Sequence, residues 1–121
     1  MPKILIVDDD ITMTELIKAL VKMEGHEPTT VNDSLQAVEV AQSLKPDLIT
    51  LDLMMPGLNG LDVCELLRKD PGLSHTPIII VSAKDDPQSR EKAFAMGAQD
   101  YLTKPFDVND FLEKINSFVS A

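Results

Sequence analysis

The sequence predicts a doubly wound α/β domain built on a five-stranded parallel sheet in the order 2-1-3-4-5, and three observations carry that expectation. Apolar runs at Ile4–Val7, Leu48–Leu51 and Ile78–Val81 are continuous rather than alternating, as in strands buried on both faces of a parallel sheet. Weaker runs lie at Thr29–Val31 and Tyr101–Leu102, and an amphipathic stretch follows each of the five, so that strand and helix alternate as (βα)5. The 121 residues are the size of one domain, and no linker, low-complexity segment or repeat interrupts them, so residues 1–121 are expected to fold as a single unit. Right-handed crossovers then put helices on both faces of the sheet.

Each helix has its own signals. Met13, Leu16, Ile17, Leu20 and Met23 recur at helical spacing after the first strand, with a Thr12/Glu15 capping box at the start and Gly25 at the end. The second helix carries Leu35, Val38, Ala41 and Leu44, with Asp33 as its N-cap. The third follows Asn59-Gly60 and carries Val63, Leu66 and Leu67. The fourth opens at Asp86-Pro87, a cap followed by proline at the first helical position, and runs to about Met96 before Gly97. The last shows the stripe Val108, Phe111, Leu112, Ile115, Phe118 and Val119 behind Asp107.

Composition excludes several functions. Asp and Glu number 20 against 11 Lys and Arg, a formal net charge of −9. Such a field repels nucleic-acid phosphates, so no direct nucleic-acid binding is expected. Cys64 has no partner for an intrachain disulfide, and with His26 and His75 far apart it makes no zinc site. Its place beside Val63, Leu66 and Leu67 marks it as a buried helix residue. The first apolar run is too short for a signal-peptide core or a membrane span, so a cytoplasmic protein without membrane association is expected.

In a sheet of this order ligands bind outside the carboxyl ends of the strands. Asp8-Asp9-Asp10 follow the first strand, Asp52 the third, Ser82 the fourth and Thr103-Lys104-Pro105 the fifth. Polar loops alone explain one or two such residues. They explain poorly three carboxylates, a hydroxyl and a lysine converging on one edge. Strands one and three are neighbours in the expected order, so Asp8, Asp9 and Asp52 approach one another and their like charges conflict. A hard divalent cation removes the conflict, and Mg²⁺ suits one or two carboxylates with water and phosphate oxygens. Aspartate can also accept a phosphoryl group, and Lys104 can neutralise the transferred charge.

These residues resemble those of bacterial response regulator receiver domains, over about Lys3 to Val119. The shared motifs are Ile6-Val7-Asp8-Asp9-Asp10, Asp52-Leu53-Met54-Met55-Pro56-Gly57, Val81-Ser82-Ala83, and Gly97-Ala98 through Asp100-Tyr101-Leu102 to Lys104-Pro105-Phe106. The resemblance implies a flavodoxin-like fold and a two-component signalling switch. It implies Asp52 as phosphoacceptor, Asp9 as a direct Mg²⁺ ligand, Asp8 in support through water, and the Met54 carbonyl as a further ligand. Ser82 becomes the switch hydroxyl, Lys104 the partner of the phosphoryl group, and Tyr101 the aromatic that turns inward on activation. Met54 and Lys84 would line the approach to the phosphoryl group, and Lys104-Pro105 would be cis.

The implied donor is a sensor histidine kinase. The chain would be no enzyme on a separate substrate, only a switch assisting its own phosphorylation and dephosphorylation. The surface of the fourth helix, fifth strand and fifth helix would then change toward an output partner or domain that the sequence does not identify, with a homodimer on phosphorylation allowed. A rival is a haloacid-dehalogenase-like phosphatase, because Val7-Asp8-x-Asp10-x-Thr12 fits its first motif with Asp8 as nucleophile. It leaves Asp52 and Met-Pro-Gly unexplained, and Asp85-Asp86 stands before Lys104 rather than after it. A receiver-like module that is never phosphorylated is a second rival, but none of the expected acidic residues or the lysine is missing.

Overall fold

The computed structural model describes residues 1–55, 57 and 59–119, so Pro56 of the second motif lies outside the described residues. The elements run β1 (Lys3–Val7), α1 (Ile11–Met23), β2 (Glu27–Val31), α2 (Ser34–Leu44), β3 (Leu48–Leu51), α3 (Gly60–Lys69), β4 (Ile78–Ser82), α4 (Pro87–Ala95), β5 (Asp100–Thr103) and α5 (Val108–Val119). The five strands form one parallel sheet in the order β2-β1-β3-β4-β5, as expected.

Side chains of a strand alternate between the two faces. Ile4 and Ile6 of β1 therefore join Ile17, Leu20, Val21, Phe111 and Ile115 beneath α1 and α5. Leu5 and Val7 join Ala37, Ala41, Val63, Cys64, Leu67 and Ala93 beneath α2, α3 and α4. Both faces being covered, β3 and β4 are buried at every position, and this is why their sequences are runs. Edge strands β2 and β5 extend beyond the apolar residues that announced them. Glu27, Pro28 and Asp100 belong to them, because an edge tolerates polar side chains and a residue without an N–H.

Three of the four expected caps act as such: Asp33, Asp86 and Asp107 accept backbone N–H groups in the first turns of α2, α4 and α5, and Asn59 does the same for α3. The first is different. Asp10 caps α1, its side chain accepting from Met13 N at 3.2 Å, and Thr12 lies exposed within the helix. The last of three aspartates reaches the open amides before Thr12 can. The buried stripe of α1 is correspondingly Thr14, Ile17, Leu20 and Val21, while Leu16 and Met23, seven residues apart and so on one line, face outward. Leu35 and Leu66 are also exposed, and the small residues Ser34, Ala37 and Ala41 bring α2 close to the sheet.

Gly60 fixes the approach of α3 to the end of β3. Its N–H donates to Leu53 O at 3.1 Å, and a Cβ there would collide with the Asp52 carbonyl and lie 2.5 Å from Leu53 Cα. The obstacle is backbone, which cannot step aside. Gly60→Ala is therefore expected to destabilise the fold by about 2 kcal/mol. Urea unfolding should show a lower midpoint with an unchanged slope, and a midpoint equal to that of the parent would contradict the packing argument.

Candidate functional site

The backbone ladder continues one step beyond the strands, and that step builds the site. Val7 pairs with Leu51. Asp8 N then donates to Val31 O at 3.1 Å, Asp52 N to Val7 O at 3.0 Å, and Lys104 N to Ser82 O at 2.8 Å. Four residues from four strand ends are thus fixed on one edge. Asp8, Asp52 and Ser82 are buried there, Asp9 lies exposed on the rim, and Lys104 is half-buried.

Lys104 Nζ donates to Asp8 Oδ2 at 2.6 Å and lies 3.4 Å from Asp52 Oδ2. Asp8 Oδ1 accepts from Asp10 N at 2.9 Å, and Asp52 Oδ1 accepts from Met54 N at 3.1 Å. Burial raises the Asp52 carboxyl above the usual carboxylate range, the Met54 N–H opposes it, and the charge of Asp8 adds to the rise. For Lys104 burial alone works to lower the pKa. The hydrogen bond to Asp8 and the charges of Asp52 and Asp8 outweigh it, so the ammonium is held above its ordinary value. One carboxylate oxygen from each of Asp8, Asp9 and Asp52 can be chosen so that all lie within 4.8 Å of one another. Three hard oxygen donors around an incompletely neutralised pocket match the preference of Mg²⁺. The Met54 side chain is exposed, consistent with a role for its backbone alone.

Ser82 is fully buried, and its Oγ accepts from Lys84 N at 3.2 Å. The Tyr101 ring is buried, and its hydroxyl donates to Lys84 O at 2.6 Å. Burial raises the phenol pKa, against the lowering influences of Ser82 and Arg90. Arg90 packs against the inward ring. Its guanidinium carbon sits 4.7 Å from the ring centroid, and its Nη2 donates to Asp85 Oδ1 and Thr103 Oγ1, both at 2.8 Å. Thr103 Oγ1 also donates to Asp85 Oδ1 at 3.0 Å. This clasp joins the β4–α4 loop, α4 and β5 over the ring. Sequence reasoning missed Arg90 and gave Thr103, already named at the end of the fifth strand, no partner, because nothing in their spacing pairs a helix residue with a strand residue 13 positions on. The Lys104-Pro105 bond is cis, as the resemblance implied.

The profile of the response regulator receiver domain family matches residues 4–116. RpaA of Synechocystis, named a DNA-binding dual master transcriptional regulator, is 38% identical over 98% of this chain and 49% of its own length. MtrA of Mycobacterium tuberculosis, named a DNA-binding response regulator, is 37% identical over 95% of this chain and 49% of its own. The chain therefore spans about half the length of these curated relatives. Among solved structures, the chemotaxis protein CheY4 of Vibrio cholerae superposes with a TM-score of 0.93 at 28% identity, over 98% of this chain and 99% of that one. The receiver domain of sensor histidine kinase PA1611 from Pseudomonas aeruginosa superposes at 0.90 and 28% identity, over 99% and 98%, and its description places a magnesium ion in the active-site cleft.

These relatives overturn the expectation of no direct nucleic-acid binding, since RpaA and MtrA are named as DNA-binding regulators. The charge argument counted only this chain's residues, and it has no bearing on what the other half of such proteins contacts. No helix among the described residues is long and apolar enough to cross a membrane. The flavodoxin-like topology, the motifs in order after their strands, and the match over residues 4–116 place this chain in the response regulator receiver domain family of two-component signalling.

Proposed function

We propose that this receiver accepts a phosphoryl group on Asp52 from the phosphohistidine of a sensor histidine kinase. The observation that carries the reading is the placing of a buried Asp52 carboxylate 3.4 Å from Lys104 Nζ and beside Asp8 and Asp9. An Asp52 oxygen attacks phosphorus, the bond from phosphorus to the histidine nitrogen breaks, and its electron pair leaves with the imidazole. The ring departs neutral, because its other nitrogen carries a proton. Burial keeps the Asp52 carboxylate poorly solvated and so a better nucleophile. Lys104 is placed to shift part of its charge from Asp8 toward the phosphoryl oxygens, and the Ser82 hydroxyl to donate to one of them. Asp9, Asp52 and the Met54 carbonyl would hold Mg²⁺, with Asp8 in support. When bound, the ion supplies further neutralisation of the phosphoryl charge. All of this chemistry acts on the chain itself, so the protein is a switch in the cytoplasm rather than an enzyme on a separate substrate.

The switch reads out at α4, β5 and α5. A phosphoryl group drawing Ser82 and Lys84 toward Asp52 strengthens the inward position of Tyr101, a two-state element biased by local charge. We further propose that the output is transcriptional, by analogy with RpaA and MtrA, with DNA contact made by sequence outside the span shared with this chain.

Four outcomes test these assignments. With Mg²⁺ and a phosphorylated kinase, the chain should gain one alkali-labile phosphoryl group and Asp52→Asn none; full labelling of that variant would remove Asp52 from its role. Without metal, Asp52→Asn should melt higher than the parent, since it removes a buried carboxylate whose ionisation burial opposes. Asp9→Asn should weaken Mg²⁺ binding at least about tenfold, measured by titration, and unchanged affinity would exclude Asp9 as a ligand. Finally, Arg90→Ala should let Tyr101 out. The chain has one tyrosine and no tryptophan, so acrylamide quenching of its fluorescence reads this residue alone. Quenching should rise in Arg90→Ala and fall again with beryllofluoride and Mg²⁺, whereas equal quenching in parent and variant would show that the clasp does not hold the ring.

A further inference from the structure

Between the start of α3 and the first turns of α4 lies a cavity of about 170 Å³, lined by Leu53, Asn59, Leu61, Lys84, Ser89 and Lys92. Its charge is opposite to that of the molecule. The chain carries 20 acidic against 11 basic side chains, yet this lining holds two lysines and no carboxylate. Neither Lys84 nor Lys92 forms an ion pair among the described residues, whereas Lys69, Lys104, Lys114 and Arg90 do.

The remaining polar groups point the same way. Asn59 Oδ1 is committed to the cap of α3, accepting from Asp62 N at 3.0 Å, so its Nδ2 is the half left to donate. Asp86 accepts at both oxygens from Ser89, from its Oγ at 2.7 Å and its N at 3.1 Å, and these bonds together with the charge of Lys84 hold its carboxyl below the usual range. The lining thus brings two lysines and the Asn59 amide together with Leu53 and Leu61. Water occupies about 30 Å³ per molecule in the liquid, so the volume corresponds to about six waters, enough for a phosphate or a short dicarboxylate and too little for a nucleotide.

We propose that this cavity binds a small dianion, phosphate- or carboxylate-bearing, at a place separate from the Asp52 carboxylate. The bound anion would bridge Lys84 and Lys92 and take the Asn59 amide. Leu53 follows Asp52 directly, and Lys84 O accepts from the Tyr101 hydroxyl. The ligand would therefore tie the phosphoacceptor loop to the β4–α4 loop in the arrangement that keeps Tyr101 inward. Anion supply in the cell would then bias the switch independently of the kinase.

The test is a titration of the ¹⁵N-labelled chain with inorganic phosphate, and separately with malonate, in chelator and at constant ionic strength set with sodium chloride. Saturable shifts are expected for the Leu53, Leu61 and Lys84 amides and the Asn59 side-chain amide, with a midpoint on the order of 1 mM. Saturation by phosphate alone identifies a phosphate-bearing ligand, and saturation by both a general dianion site. Both lysines are exposed, so their variants should fold; Lys92→Gln should weaken binding at least fivefold, and Lys84→Gln with Lys92→Gln should abolish it. Asp52→Asn should bind as the parent does, which separates this site from the phosphoacceptor assignment. Shifts that never saturate, that chloride reproduces, or that persist in the double lysine variant would overturn the proposal.

Discussion

Asp8 and Asp52 are buried carboxylates at the ends of adjoining strands, and the ammonium of Lys104, 2.6 Å from one and 3.4 Å from the other, is what allows them to coexist there. Two like charges held close and away from water raise the free energy of the folded state, and a single cation compensates only part of it. Burial is the main reason the Asp52 pKa is raised, and the charge of Asp8 adds to the rise. Everything else at the edge serves to hold the three side chains in place. The β1–β3 register sets Asp8 beside Asp52, the β4–β5 ladder brings Lys104 across, and Gly60 permits α3 to close over the Asp52 backbone. A pocket balanced in this way gains most from a ligand that adds positive charge.

The Lys104 pair and the Tyr101 clasp lie on either side of Ser82, and each leaves the other sensitive. Ser82 shares its backbone carbonyl with Lys104 N and its hydroxyl with Lys84 N, while Lys84 O receives the tyrosine. A displacement of Ser82 toward Asp52 is therefore felt at both ends of one short segment. Arg90 packs over the inward ring and so favours that position. A phosphoryl group on Asp52, as proposed, would add to the same bias.

Much of this was legible in the sequence, for identifiable reasons. The central strands announced themselves because burial on both faces leaves no room for polar residues. The site residues did so because a parallel sheet presents all its carboxyl ends on one edge, and position after each strand is a one-dimensional property. The cap of α1 differs because Thr12 and Glu15 fit the capping-box pattern, whereas the helix already begins at Ile11 and Asp10 accepts from Met13 N. The exposed Leu16, Leu35 and Leu66 satisfied helical spacing without facing the sheet, since periodicity gives a stripe and not its azimuth.

Arg90 shows where such reasoning stops. Its partners are Asp85 on the loop before α4, Thr103 at the end of β5 and the ring of Tyr101, three residues related only through the β4–β5 pairing and the packing of α4 upon it. Family motifs name the aspartates, the hydroxyl and the lysine because their chemistry with phosphate allows few substitutes. A contact that sets the balance between two positions of a ring is under no such restriction, and many side-chain combinations could perform it. The residues that make a receiver a phosphoacceptor are therefore readable from type and order, whereas those that set its resting position become visible only once the strands and helices have been placed.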